Sequence, residues 1–290
     1  MREDHLRDLF RKRSAPMNPE PCDVEVRLIP LPDVRCVLFD VYGTLVISGS
    51  GDVGTAGAVD QQTALDESLA ACDITLPDKG ILAADRITAV VREHHRRAKE
   101  EGVAYPEVDI LEVWSEVLEG AGVRNADRET LKRLAIEYDA RINPVWPMPG
   151  MEEVLRAIRD RNMIMGIVSN AQFYTPLMLS AFTGKPCADL GFKEEICVWS
   201  WQSREGKPSK NLYRKALSVL DEWGIRSSDV LYVGNDMRND IWPSSELGCR
   251  TALFAGDRRS LRLREDDPNC RDVEPDIVLT ALPQLLECLP

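Results

Sequence analysis

The chain has 290 residues, 44% of them hydrophobic and 29% charged, which excludes fibrous and largely disordered classes and leaves enough apolar side chains for a sizeable core. Its formal net charge of -12 opposes a nucleic-acid partner, because a phosphate backbone is bound by clustered Lys and Arg, and no apolar run approaches the roughly 20 residues that cross a bilayer. Eight scattered cysteines lack C-x-x-C spacing or paired histidines, so reduced thiols and a cytoplasmic location are expected.

Residues 1–14 (MREDHLRDLFRKRS) mix both charge signs, lack the apolar stretch of a secretory signal and read as a surface extension. Residues 36–40 (CVLFD) are an apolar run ending in a carboxylate, with Gly43 soon after, the pattern of a buried strand feeding a turn. Residues 48–57 (SGSGDVGTAG) suit a flexible connection, and with the helical periods that follow they suggest a lid on a hinge. In the next stretch Ile110, Val113, Trp114, Val117 and Leu118 share one helix face, and Asp109 with Glu112 forms a capping-box pattern. Tyr105-Pro106-Glu107 reads as a plain turn, and His94 and His95 as solvated positions of a charged helix. Further apolar runs at residues 163–168, 230–233 and 251–254 each follow a segment of helical length, while Trp199 and Trp201 read as packing residues of a short strand.

Alternating helices and fully apolar strands predict an α/β fold: a doubly wound, Rossmann-like parallel sheet with an inserted all-helical cap. The expected division is an N-terminal extension over 1–30, a core over 31–52 and 145–290, and a cap over 53–144. Sites in such sheets lie beyond the carboxyl ends of the strands, where Asp40, Ser169 and residues 234–236 fall.

The segment Phe39-Asp40-Val41-Tyr42-Gly43-Thr44-Leu45 resembles the first motif of haloacid dehalogenase-like hydrolases. The later motifs follow in the family's order: Ser169-Asn170, then Lys207-Pro208 opening KPSKNLYRKAL, then GNDMRND at 234–240 with Glu246-Leu247-Gly248 beyond it. Singly, Asp40 and Ser169 have plain readings as caps, Lys207 as a surface lysine, and Asp236 and Asp240 as a turn and a first helical turn. Their order at successive strand ends carries the resemblance, which covers 34–46 and 148–279. The insertion sits where many members have a helical cap.

The resemblance implies that Asp40 attacks the substrate to form a covalent aspartyl intermediate. Thr44 and Ser169 would offer hydroxyls, Lys207 a fixed charge, and the turn at Tyr42 and Gly43 backbone N–H groups to the transferred group, with Asn170 a further substrate-binding candidate. Asp40, the Tyr42 backbone carbonyl, Asp236 and Asp240 would hold Mg2+. Like charges near 4 Å repel by about 4 kcal/mol at an effective dielectric near 20, and an all-oxygen set suits a hard ion. Aligned on Gly234, the usual first acid becomes Asn235; Asp236 is nevertheless expected as the direct ligand.

Position 42 departs from the family's phosphatases, which usually carry there a second Asp as general acid and base. A phenol with a pKa near 10 is a poor base at neutral pH. Tyr42 also resembles the D-x-Y-G-T segment of 2-haloacid dehalogenases, which attack carbon and expel halide without metal. The expected function is a Mg2+-dependent phosphatase of a small metabolite. A dehalogenase-type hydrolase of a halogenated acid and a catalytically weak binding protein are the alternatives.

Overall fold

The computed structural model describes residues 2–50, 60–77 and 82–290. Its strands are β1 (Cys36–Phe39), β2 (Val46–Ser48), β3 (Val145–Pro147), β4 (Ile164–Ser169), β5 (Phe192–Trp199), β6 (Val230–Gly234), β7 (Arg250–Phe254) and β8 (Ile277–Leu279). Six form one parallel sheet in the order β5-β4-β1-β6-β7-β8, and β2 pairs antiparallel with β3. In β1 Val37 and Phe39 join one hydrophobic cluster, while Cys36 and Leu38 join a second with Leu212, Tyr213 and Leu220 of the helix Lys210–Glu222. Both faces are therefore covered, which is why the strand reads as an unbroken apolar run. Phe39 is in register with Ile167 of β4 and Val233 of β6, so Asp40 emerges between the ends of its two neighbours. Edge strands β5 and β8 escape an apolar-run reading, since β5 carries exposed Lys193, Glu194 and Glu195 and β8 has three residues.

The helices up to β5 that matter below are α1 (Arg2–Arg13), α2 (Gln61–Ala71), α3 (Asp85–Glu100), α4 (Ile110–Gly120), α5 (Arg128–Ile142), α6 (Met151–Asp160) and α7 (Thr175–Thr183). Helices α2 to α5 make up the insertion, and their Leu65, Trp114 and Leu134 belong to the same cluster as Val37 and Phe39. Asp109 caps α4 by accepting from the Leu111 N–H at 2.9 Å, but Glu112 does not complete the capping box. It reaches instead to Arg204 in the core, at 2.6 and 2.8 Å.

Two expectations change. Residues 2–13 are not a loose surface extension: Leu6, Leu9 and Phe10 are buried, α1 packs on both α5 and α7, and Phe10 lies 6.0 Å from the Tyr174 ring. Arg13 pairs with Glu137 of α5 at 2.9 Å, and Arg11 Nε donates to the Ala181 carbonyl at 2.7 Å. The start of the expected hinge is tied down as well. Gly49 N–H donates to the Pro144 carbonyl at 2.8 Å, and Ser48 Oγ and Ser50 Oγ donate to Asn143 Oδ1 at 2.8 and 2.9 Å; residues 51–57 of that segment lie outside the described residues. Among the described residues no helix is long and apolar enough to cross a membrane.

Because Phe10 is fully buried against both layers, Phe10→Ala should destabilise the fold by about 3 kcal/mol. Urea unfolding would read this as a lowered midpoint at unchanged slope. A change below about 0.5 kcal/mol would show that α1 contributes nothing to the core.

Candidate active site

Asp40 is the first residue beyond β1; its N–H donates to the Val233 carbonyl at 2.9 Å. The chain then turns sharply, with Gly43 at φ +78°. A Cβ on Gly43 would stand 2.5 Å from Ser260 Cβ and 2.8 Å from Asn235 Nδ2, so this position needs glycine both for its backbone and for the close approach of residues 235 and 260.

Two donors hold one oxygen of the Asp40 carboxylate: Ser169 Oγ and Lys207 Nζ each lie 2.7 Å from Oδ1. No described residue donates to Oδ2. Lys207 Nζ also donates to Asp240 Oδ1 at 2.6 Å, so a single ammonium bridges two carboxylates in a region where Asp40, Lys207 and Asp240 are all buried. Burial pushes the Lys207 pKa down, yet Asp240 and Asp40 outweigh it and the group stays above its ordinary value. Burial raises Asp240 to about 7 against the pull of Lys207. Asn170 Oδ1 accepts the Lys207 N–H at 2.6 Å, so Asn170 fixes the lysine's backbone. Tyr232, which the sequence did not single out, donates to the Val168 carbonyl at 2.6 Å and approaches Lys207 Nζ at 3.3 Å.

The acid-rich segment divides its work differently from expectation. Asp236 caps the π-helical turn Met237–Ile241, accepting from the N–H groups of Arg238 and Asn239, and Arg264 grips it with two bonds at 3.1 and 2.6 Å. Asp240 Oδ2 accepts the Asp236 N–H at 2.9 Å. Asn235 is the residue brought against the Asp40 turn, its Oδ1 accepting Thr44 Oγ1 at 3.0 Å and its Nδ2 donating to the Ser260 carbonyl at 2.6 Å. The expected set of three aspartates is therefore not gathered into one shell, and among the described residues no cluster of three His, Cys, Asp or Glu could hold a metal. Residues that line the cavity and could offer a hard cation a sparser oxygen set are Asp40, Tyr42 through its backbone carbonyl, and Asn235.

Above Asp40 lies a cavity of about 580 Å³ between core and insertion. Asp40, Tyr42, Asn170, Lys207, Asp236 and Asp240 line its floor, whereas Thr44 and Ser169 are fully buried and act through Asn235 and Asp40. Tyr42 turns its hydroxyl to Thr175 Oγ1 at 3.0 Å, and burial, with Asp139 and Asp40 nearby, pushes its pKa well above the ordinary value. The insertion brings residues that the local sequence reading took for a plain turn or a solvated face, and one, Asp139, that it did not single out. Residues 105–107 are more than a turn: Glu107 N–H donates to the Arg204 carbonyl at 3.1 Å and Gly206 N–H to the Tyr105 carbonyl at 2.8 Å, next to Lys207. His94 pairs with Glu116 at 3.0 Å, but His95 lines the cavity, its Nε2 buried without a partner among the described residues. Asp139 of α5 also lines the cavity, set against the Tyr174 hydroxyl, and burial raises its pKa to about 7. The signal that could have flagged Asp139 is its place among the apolar positions of α5, where Ala135, Ile136, Tyr138 and Ala140 are buried.

A family model described as haloacid dehalogenase-like hydrolase matches residues 34–260. No curated protein matches the chain. Among solved structures, a 2-haloacid dehalogenase from Pseudomonas syringae pv. Tomato DC3000 is similar with a TM-score of 0.55 and 18% identity, over 88% of this chain and 97% of that one. A HAD phosphatase from Thermococcus onnurineus is similar with a TM-score of 0.50 and 16% identity, again over 88% and 97%. At such identities the likeness speaks to fold alone.

Asp139 binds its proton more tightly in the fold than a carboxyl does in the unfolded chain, so its ionisation costs nothing below about pH 4 and destabilises as pH rises from 4 to 7. Asp139→Asn should remove that loss. Its stability relative to wild type should improve by about 3 kcal/mol between pH 4.5 and 8 in denaturant titrations, and a difference independent of pH would contradict the assignment.

Proposed function

The chain belongs to the haloacid dehalogenase-like hydrolases, and from that membership we propose that it hydrolyses the phosphate monoester of a small polar metabolite, with Asp40 as nucleophile. The carrying observation is the Asp40 carboxylate on the cavity floor, Oδ1 fixed by Ser169 and Lys207 and Oδ2 left without a described donor. A carboxylate held through one oxygen presents the other in a fixed direction, which is what in-line attack on phosphorus requires. Lys207 places its charge beside both the nucleophile and the oxygens of the transferring group. The cavity's 580 Å³ suits a metabolite-sized ligand, whereas a haloacid of two or three carbons would leave most of it empty. A Mg2+ ion held by Asp40, the Tyr42 carbonyl and Asn235 would screen an approaching phosphate from Asp40. Such a set carries one formal negative charge, so the ion would be weakly held.

One observation favours a second reading, attack on carbon with loss of halide. The Tyr42 hydroxyl is engaged by Thr175 with a raised pKa and serves poorly as a base, and a departing halide needs no proton.

Phosphate release from a panel of metabolite esters should require Mg2+, stop on chelation and vanish in Asp40→Asn. Asn235→Asp should lower the half-saturating Mg2+ concentration about tenfold by adding a second charge to the ligand set. Phosphate release undiminished in Asp40→Asn would remove Asp40 as nucleophile, and halide release from 2-chloropropionate without metal, with no ester turned over, would establish the second reading.

A further inference from the structure

Position 42 lacks a carboxylic acid, and expelling an alkoxide or phenoxide from phosphorus without a proton donor is slow. We propose that Asp139, presented by α5 across the cavity from the core, is the general acid and base for the leaving oxygen. The inference rests on the phosphatase reading.

Geometry supports it. In-line displacement puts the leaving oxygen on the side of phosphorus away from Asp40, where an acid carried by the insertion can meet it. Asp139 lines the same cavity as Asp40, Tyr42 and Lys207. It therefore opens on the same space as position 42.

The other titratable groups around the cavity are committed or unsuited. Glu107 accepts from the Val108 N–H at 2.8 Å and from Ser200 Oγ at 2.9 Å. Asp240 holds Lys207 and the Asp236 N–H. Burial opposes the imidazolium form of His95, as do Lys99 and His94. Asp139 interacts with the Tyr174 hydroxyl, and among the described residues no Lys or Arg is paired with it. Its helical turn is also anchored: Glu137 pairs with Arg13 and Arg141, and Asn143, whose N–H donates to the Asp139 carbonyl at 2.8 Å, holds Ser48 and Ser50.

The chemistry closes. Asp40 Oδ2 forms a bond to phosphorus as the ester P–O bond breaks, and the leaving oxygen takes the proton of the Asp139 carboxyl. The Asp139 carboxylate then takes a proton from the water that attacks the aspartyl phosphate, which releases phosphate and restores both carboxyl groups.

Phenyl phosphate and p-nitrophenyl phosphate have nearly the same shape but differ in how much their leaving group needs a proton. Asp139→Asn should lower kcat/KM, which reports the steps up to loss of the leaving group, by about 100-fold or more for phenyl phosphate while kcat/KM for the p-nitrophenyl ester stays within about threefold. An equal loss of kcat/KM on both esters in a variant whose melting temperature is not lowered would overturn the proposal. Wild-type protein gives an independent measurement, because with an acid in place its kcat/KM depends weakly on leaving-group basicity across substituted phenyl phosphates; a steep dependence would also overturn it. Wild-type turnover of neither ester would instead remove the phosphatase reading and this proposal with it.

Discussion

The ammonium of Lys207 between Asp40 and Asp240 is the contact on which the rest of the site depends. Each of the three groups would cost several kcal/mol to bury alone, so none of the segments that carry them can reach its observed place without the others. The lysine is positioned from its backbone outward, by Asn170, and its head is bounded by Tyr232. Sheet order makes the meeting possible: β1 lies between β4 and β6, so the segments ending in Asp40, Ser169 and Gly234 arrive side by side.

A second cation, Arg264, separates two aspartates that look equivalent in sequence. Four residues apart, Asp236 caps a π-helical turn and Asp240 lies within it, and the Asp240 N–H donates to the Asp236 carbonyl. Asp236 stays at the start of that turn, capping it, while Asp240 is carried under the sheet end towards Lys207. Gly234 permits this, since a Cβ there would come within 2.4 Å of the Asp240 carboxyl carbon. The negative charge of the segment is thereby compensated largely by protein cations, and the oxygen that approaches the Asp40 turn belongs to an amide.

What could be read from the sequence follows from how local each feature is. Strands β1, β4, β6 and β7 are covered on both faces, so their apolar runs are visible, and the motif residues sit at their ends. Helix α1 was hidden because three apolar side chains, Leu6, Leu9 and Phe10, do all its packing amid a strongly charged sequence. The grip of Arg264 on Asp236 spans 28 residues, and that of Arg13 on Glu137 spans 124. No periodicity encodes such pairs. Asp139 was not singled out for the same reason, since Tyr174 lies outside the local pattern of α5, and His95 was read as solvated because the cavity it lines is formed with distant segments.

The anchoring of the insertion bears directly on how such a site could work. A proton donor carried on a separate layer acts only if it returns to the same place each time, and an error of about 1 Å is costly to catalysis. Here the layer shares one hydrophobic cluster with the sheet and is tied to the core by Arg204 and Glu112, by residues 105–107 against 204–206, and by α1 lying across α5 and α7. The β2–β3 pair and Asn143 clamp the end of α5, one turn beyond Asp139. These ties favour a fixed wall over a swinging lid. A fixed wall places the acid well but leaves little freedom to accommodate bulk, so the same contacts that would hold Asp139 in position would also confine the substrate to what the existing cavity admits.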